Sequence, residues 1–74
     1  MPTQQRVEAI TKAIIEATGE TVDYREERWP THRHVLAVRC LSGSEVHAVE
    51  ALGRADGWAV SGAGNDVTLT LHTT

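Results

Sequence analysis

Apolar residues at Val7, Ile10, Ile14 and Ala17 recur three or four positions apart, with Ala13 beside them, and the spacing predicts a helix over 4–18. Glu8, Lys12 and Glu16 form an i, i+4 ridge on the opposite side. Thr3 is placed to cap the start and Gly19 to stop the end. A second helical stripe runs through Val46, Val49 and Leu52, with Ala48 and Ala55 alongside. It opens at "SGSE", where Ser42 and Glu45 have the spacing of a capping box and Ser44 is the rival cap, and Asp56-Gly57 ends it. Gly53 falls on the buried side of this helix, where a missing side chain lets another element approach closely.

Elsewhere the pattern has a period of two. Residues 21–28, "TVDYREER", alternate weakly and predict a charged strand. Pro30 in "WPT" has no amide donor and turns the chain. Residues 33–41, "RHVLAVRCL", predict the most apolar strand, and "WAVS" at 58–61 a short one. "GAGND" at 62–66 reads as a glycine-rich hairpin turn into a last strand at 66–72, with Val67, Leu69 and Leu71 on one face.

The order α-β-β-α-β-β predicts a two-layer α+β domain spanning 1–74, with two helices on one face of a four-stranded antiparallel sheet. "VEAI" at 7–10 echoes "VHAV" at 46–49, so the two halves look alike. Strands 2 and 4 are the most apolar and belong in the centre, while the charged first strand and the short third one suit edges, which gives the sheet order 1-2-4-3. The arrangement resembles a circularly permuted ferredoxin-like fold, which hosts many unrelated functions.

The alternation assigns Val22, Tyr24, Leu36, Val38, Cys40, Trp58, Val60, Val67, Leu69 and Leu71 to the space under the helices. The open face then carries Asp23, Arg25, Glu27, Arg33, Val35, Ala37, Arg39, Ala59, Thr68, Thr70 and His72. With the hairpin loop at 29–33, Asp23 is expected opposite Arg39, a cross-strand ion pair worth about a few tenths of a kcal/mol.

Composition narrows the function classes. A chain of 74 residues has a thin core, here aliphatic because the sequence has no Phe. The formal charge of −3 lacks the basic excess of a nucleic-acid binder. A lone cysteine, Cys40, excludes an intrachain disulfide and fits a reducing compartment. "MPTQQRVEAI" has neither the basic nor the apolar region of a signal peptide, so the expectation is a soluble cytoplasmic protein without a membrane partner.

The reactive side chains form no convincing constellation in the sequence. His32 and His34 flank Arg33 and point the same way on an extended chain, but zinc needs three or four ligands. Cys40 lies about 20 Å along the strand from His34, His47 falls on the solvent side of its helix, and His72 faces the open sheet side. No metal site and no cofactor are therefore expected. Cys40 sits among apolar neighbours and reads as a buried small side chain rather than a nucleophile. "GAGND" lacks the lysine and the following helix of a phosphate loop. Glu26 and Glu27 are consecutive, point to opposite faces and make no acid/base pair.

What remains is "YREERWPTHRH" at 24–34. Trp29 either folds back over the hydrophobic edge or stands out as an anchor flanked by Arg28 and Arg33, and tryptophan and arginine are the side chains most enriched at binding hot spots. The two histidines would make such a contact pH-sensitive. The favoured expectation is a non-catalytic module that inhibits, regulates or adapts a protein partner through Arg25, Glu26, Glu27, Arg28, Trp29, His32 and Arg33. Small acidic inhibitors encoded by mobile elements, anti-CRISPR-like proteins among them, have this character. Glu20, Asp23, Glu26 and Glu27 would then compete for a basic nucleic-acid-binding surface on the partner. One alternative is a dimeric ligand-binding regulatory domain joined through the open face at Val35, Ala37, Arg39, Ala59, Thr68 and Thr70. The other is a nucleic-acid binder using Arg25, Arg28, Arg33 and Arg39.

Overall fold

Helix α1 (Thr3–Thr18) leads into strands β1 (Val22–Glu27) and β2 (Arg33–Arg39), then helix α2 (Gly43–Ala55), then β3 (Ala59–Ser61) and β4 (Asp66–His72). The computed structural model describes residues 3–73. The four strands form one antiparallel sheet in the order β1-β2-β4-β3, the α+β arrangement expected from the pattern. No helix among the described residues is long and apolar enough to cross a membrane.

The helices form where the apolar spacing places them. Val7, Ile10 and Ile14 are the buried residues of α1. The Gly19 amide donates to the Ile15 carbonyl at 2.7 Å, and the Thr18 hydroxyl donates to the Ile14 carbonyl at 2.8 Å, which closes the last turn. Thr3 already belongs to the helix, so it is not the cap, and the position before it lies outside the described residues. Ala17, expected on the buried stripe, is exposed. Helix α2 is capped by Ser42, whose side chain accepts from the Glu45 amide at 3.3 Å. Glu45 Oε1 accepts from the Leu41 amide at 2.8 Å rather than from that of Ser42, so only half of a capping box forms.

The core lies between the helices and the sheet. Ile14, Leu36, Leu69, Val38, Val49 and Val67 are its largest fully buried side chains. Gly53 of α2 lies directly over Leu69 of β4: a Cβ there would stand 2.5 Å from Leu69 Cδ2. Trp58 is buried, and its indole nitrogen donates to Asp56 Oδ2 at 2.8 Å. Arg6 of α1 reaches Asp56 from the other helix, which ties the two helices together at that end. Burial also pushes the Cys40 thiol pKa upward, with Glu45 and Glu20 adding to the effect, so Cys40 behaves as the small core side chain expected.

Four further expectations need correction. Tyr24, assigned beneath the helices, is 42% exposed, because β1 is an edge strand that α1 covers incompletely. Strand β2 ends at Arg39, leaving Leu41 outside it and exposed. Val35 does point to the open face but is only 3% exposed, because it lies on a central strand flanked by Arg25 and Thr70. The first hairpin also pairs in a different register. Asp23 lies opposite Ala37 and Glu27 opposite Arg33, so the loop is 28–32. Asp23 and Arg39 therefore do not meet. Arg39 faces Asp66 of β4 instead, with Nε 3.3 Å from Oδ1.

Candidate functional site: the first hairpin

The β1–β2 hairpin sorts its charged residues onto two faces because neighbouring side chains on a strand point in opposite directions. On the open face, Glu27 lies between Arg25 and Arg33. Arg25 Nε donates to Glu27 Oε2 at 2.6 Å, and Arg33 donates to Glu27 Oε1. These two guanidinium groups hold the Glu27 carboxyl below the usual carboxylate range.

On the helix-covered face, at the end of the sheet, Glu26 lies directly opposite His34. His32 Nε2 donates to Glu26 Oε2 at 2.6 Å, and Arg28 Nε donates to the same oxygen at 3.1 Å. The hydrogen bond from His32 is the main reason that the Glu26 carboxyl is also held low, with Arg28 adding to it. His34 is 5% exposed. Its Nδ1 and the Tyr24 hydroxyl share a hydrogen bond of 2.8 Å, and the two rings stack with centroids 5.9 Å apart. The His32 and His34 rings lie 5.2 Å apart, on the same side as the sequence requires. The His32 carbonyl is fixed from just beyond β4, where the Thr73 amide donates to it at 3.0 Å.

Beyond these networks stands the tip. Trp29 is 87% exposed, joined to Pro30 by a cis peptide bond, and does not fold back over the hydrophobic edge. Arg28 is largely exposed beside it. Of the seven hairpin residues expected to bind a partner, Trp29 projects freely, and Arg28 is exposed but tied to Glu26. Arg25, Glu27 and Arg33 are tied together on one face, and Glu26 and His32 on the other. Sequence reasoning placed His34 and Tyr24 in neither group. The register would have revealed them, since it sets Glu26 against His34.

The alternative surface is less accessible at its centre. Val35 is buried, Ala37, Thr68 and Thr70 are half-buried, and Ala59 and Arg39 are exposed. All four arginines considered for nucleic acid are paired: Arg25 and Arg33 with Glu27, Arg28 with Glu26, and Arg39 with Asp66. His47 lies 4.0 Å from Glu50 on the outer side of α2, and His72 is exposed on the open face.

A second acidic feature joins the start of β1 to α2. Glu20 and Glu45 interact through their carboxyl groups, and Glu20 Oε2 is buried without a donor. The interaction with Glu45 and partial desolvation raise the Glu20 pKa, so a shared proton relieves the pair. An acid with a raised folded-state pKa contributes stability below its unfolded pKa and loses it as pH rises through the folded value. Glu20→Gln is therefore expected to raise the melting temperature at neutral pH, with the gain vanishing near pH 3. Thermal melts of both proteins across that range check it, and an equal gain at both ends would contradict the shared proton.

No protein-family model and no curated protein matches this chain.

Proposed function

We propose that the protein is a non-catalytic binding module that inhibits, regulates or adapts a protein partner through the tip of its first hairpin. One observation carries the reading: Trp29 is 87% exposed at the end of a hairpin whose base is tied on both faces by charged networks. An exposed indole contributes nothing to this core. Set on a braced strand pair, it loses little freedom on docking, and truncation of such anchors is typically costly. Arg28 beside it matches a partner pocket with an apolar floor and a carboxylate rim.

The acidic residues that would mimic nucleic acid are divided. Glu26 and Glu27 are neutralised by neighbouring cations, and Glu20 and Asp23 lie at the far end of β1. The Trp-Arg tip is therefore the better-supported contact. The test compares tagged wild type and Trp29→Ala in pull-downs from host lysate, followed by titration of the partner recovered. The expected result is one stoichiometric partner, bound at least about 30-fold more weakly by the variant. Its stability should stay within about 0.5 kcal/mol of wild type, as for an exposed site. A partner held equally by a folded Trp29→Ala protein would remove the tip from the contact.

A further inference from the structure

We propose that Glu26, His32 and His34 form a zinc-binding site at the base of the first hairpin. One carboxylate oxygen and two imidazole nitrogens from these residues lie within 4.8 Å of one another. Three features of the fold bring them together. The register sets Glu26 against His34, the two-residue period puts His32 on the same side, and the bond from Thr73 holds the His32 backbone.

The geometry is close to that of a zinc complex. Zinc binds histidine nitrogen and carboxylate oxygen at about 2.0–2.2 Å, which sets neighbouring tetrahedral ligand atoms about 3.3 Å apart. His32 Nε2 and Glu26 Oε2 are 2.6 Å apart, held by a proton between them. Zinc takes the place of that proton, the gap opens by under about 1 Å, and the other donors, up to 4.8 Å apart, close in by up to about 1.5 Å. Two imidazoles and a carboxylate suit zinc better than calcium or magnesium, which take oxygen ligands. The fourth position is left to water in the free protein.

Two further observations point to a ligand. His34 is the one polar residue in the buried class among the described residues, an unusual place for an imidazole with no structural charge to balance. Tyr24 occupies its Nδ1 and leaves Nε2 as the metal-binding nitrogen. With Nδ1–H donating to the Tyr24 oxygen, Tyr24 fills the outer-shell place that a carboxylate, backbone carbonyl or water takes at most metal-bound histidines. Arg28 donates to the same Glu26 oxygen, so zinc there competes with that hydrogen bond. The site stands independently of the contact proposed for the tip.

The test is calorimetric titration of the untagged, metal-stripped full chain with zinc chloride, in parallel with Glu26→Gln, His32→Ala, Tyr24→Phe and His72→Ala. Circular dichroism shows that each variant is folded. Wild type is expected to bind a single equivalent. Glu26→Gln and His32→Ala should bind at least about 30-fold more weakly, and Tyr24→Phe about tenfold more weakly through loss of the outer-shell bond. His72→Ala on the open face should bind as wild type does. Cobalt in place of zinc should give the strong visible absorption of a four-coordinate ion. The absence of saturable zinc binding, or wild-type affinity in folded Glu26→Gln and His32→Ala, would overturn the proposal. The titration needs no partner, so its failure and that of the Trp29 contact are read separately.

Discussion

Gly62→Ala is expected to destabilise the protein by about 3 kcal/mol or more, a large share of the total for a domain this small. Gly62 follows β3 in the β3–β4 turn with φ of +137°, a region essentially confined to glycine. A Cβ built there would stand 2.1 Å from the Asp66 carbonyl oxygen and 3.1 Å from Val67 Cα. Both are backbone atoms of β4, so no side chain can swing aside. Nor can that backbone retreat cheaply, because Asp66 and Val67 are paired with Arg39 and Val38 of the central strand, and the Asp66 amide donates to the Ala63 carbonyl at 3.1 Å. Gly64 in the same turn is the control. Its φ is +61° but a Cβ there meets nothing within 4 Å, so Gly64→Ala carries only the left-handed backbone penalty of about 1–2 kcal/mol. Urea denaturation of the three proteins checks the contrast, and equal losses in the two variants would show that backbone conformation alone, not the contact with Asp66, sets the effect.

The layout of the sheet was readable because different strands carry different burdens. β2 and β4 are buried on the helix side along their whole length, and their alternate residues there are aliphatic apart from His34 at the start of β2. β1 is charged and β3 has three residues, and each ended at an edge. Register was not readable. Alternation fixes which face a side chain takes, and a shift of two residues leaves every face unchanged. The expected loop at 29–33 would have set Arg28 against His34 and Asp23 against Arg39. The observed loop at 28–32 sets Glu26 against His34. That shift is why the cluster of Glu26, His32 and His34 was invisible while the paired direction of the two histidines was not. A pair of i, i+2 links along β1 and into the loop, Arg25 to Glu27 and Glu26 to Arg28, was available from the sequence regardless of register.

The exposure of three residues escaped the pattern for separate reasons. Tyr24 has the parity of a core residue, but parity does not report how far a helix extends over an edge strand. Val35 has the parity of a surface residue, but it lies on a central strand with Arg25 on one side and Thr70 on the other. Trp29 lies in a turn, where no periodicity applies, so its direction is decided by the local backbone alone. The candidate contact therefore depended on the part of the chain about which pattern says least, whereas the core depended on the part about which it says most.

Leu69→Ala is expected to destabilise the protein by about 3–4 kcal/mol, and its interaction with Gly53 gives the expectation a sharper form. Leu69 is fully buried on β4, in register with Leu36 on one side and Val60 on the other, beneath α2. Removing its isobutyl group leaves a cavity between strands whose pairing resists collapse. In the wild type, Gly53→Ala places a methyl group 2.5 Å from Leu69 Cδ2 and 3.2 Å from Cδ1. Helix propensity favours the alanine by about 1 kcal/mol, but overpacking a closed core opposes it by about 1–3 kcal/mol, so the single change should destabilise. In the Leu69→Ala background both δ carbons are gone. The new methyl then enters the vacated space, and the propensity gain of about 1 kcal/mol stands unopposed. Gly53→Ala should thus reverse sign between the two backgrounds, with a coupling of about 2 kcal/mol for groups in direct contact. Urea midpoints of the four proteins decide it. If Gly53→Ala had the same effect in both backgrounds, the glycine would not be there to admit Leu69, and the close approach of α2 to β4 would need another cause.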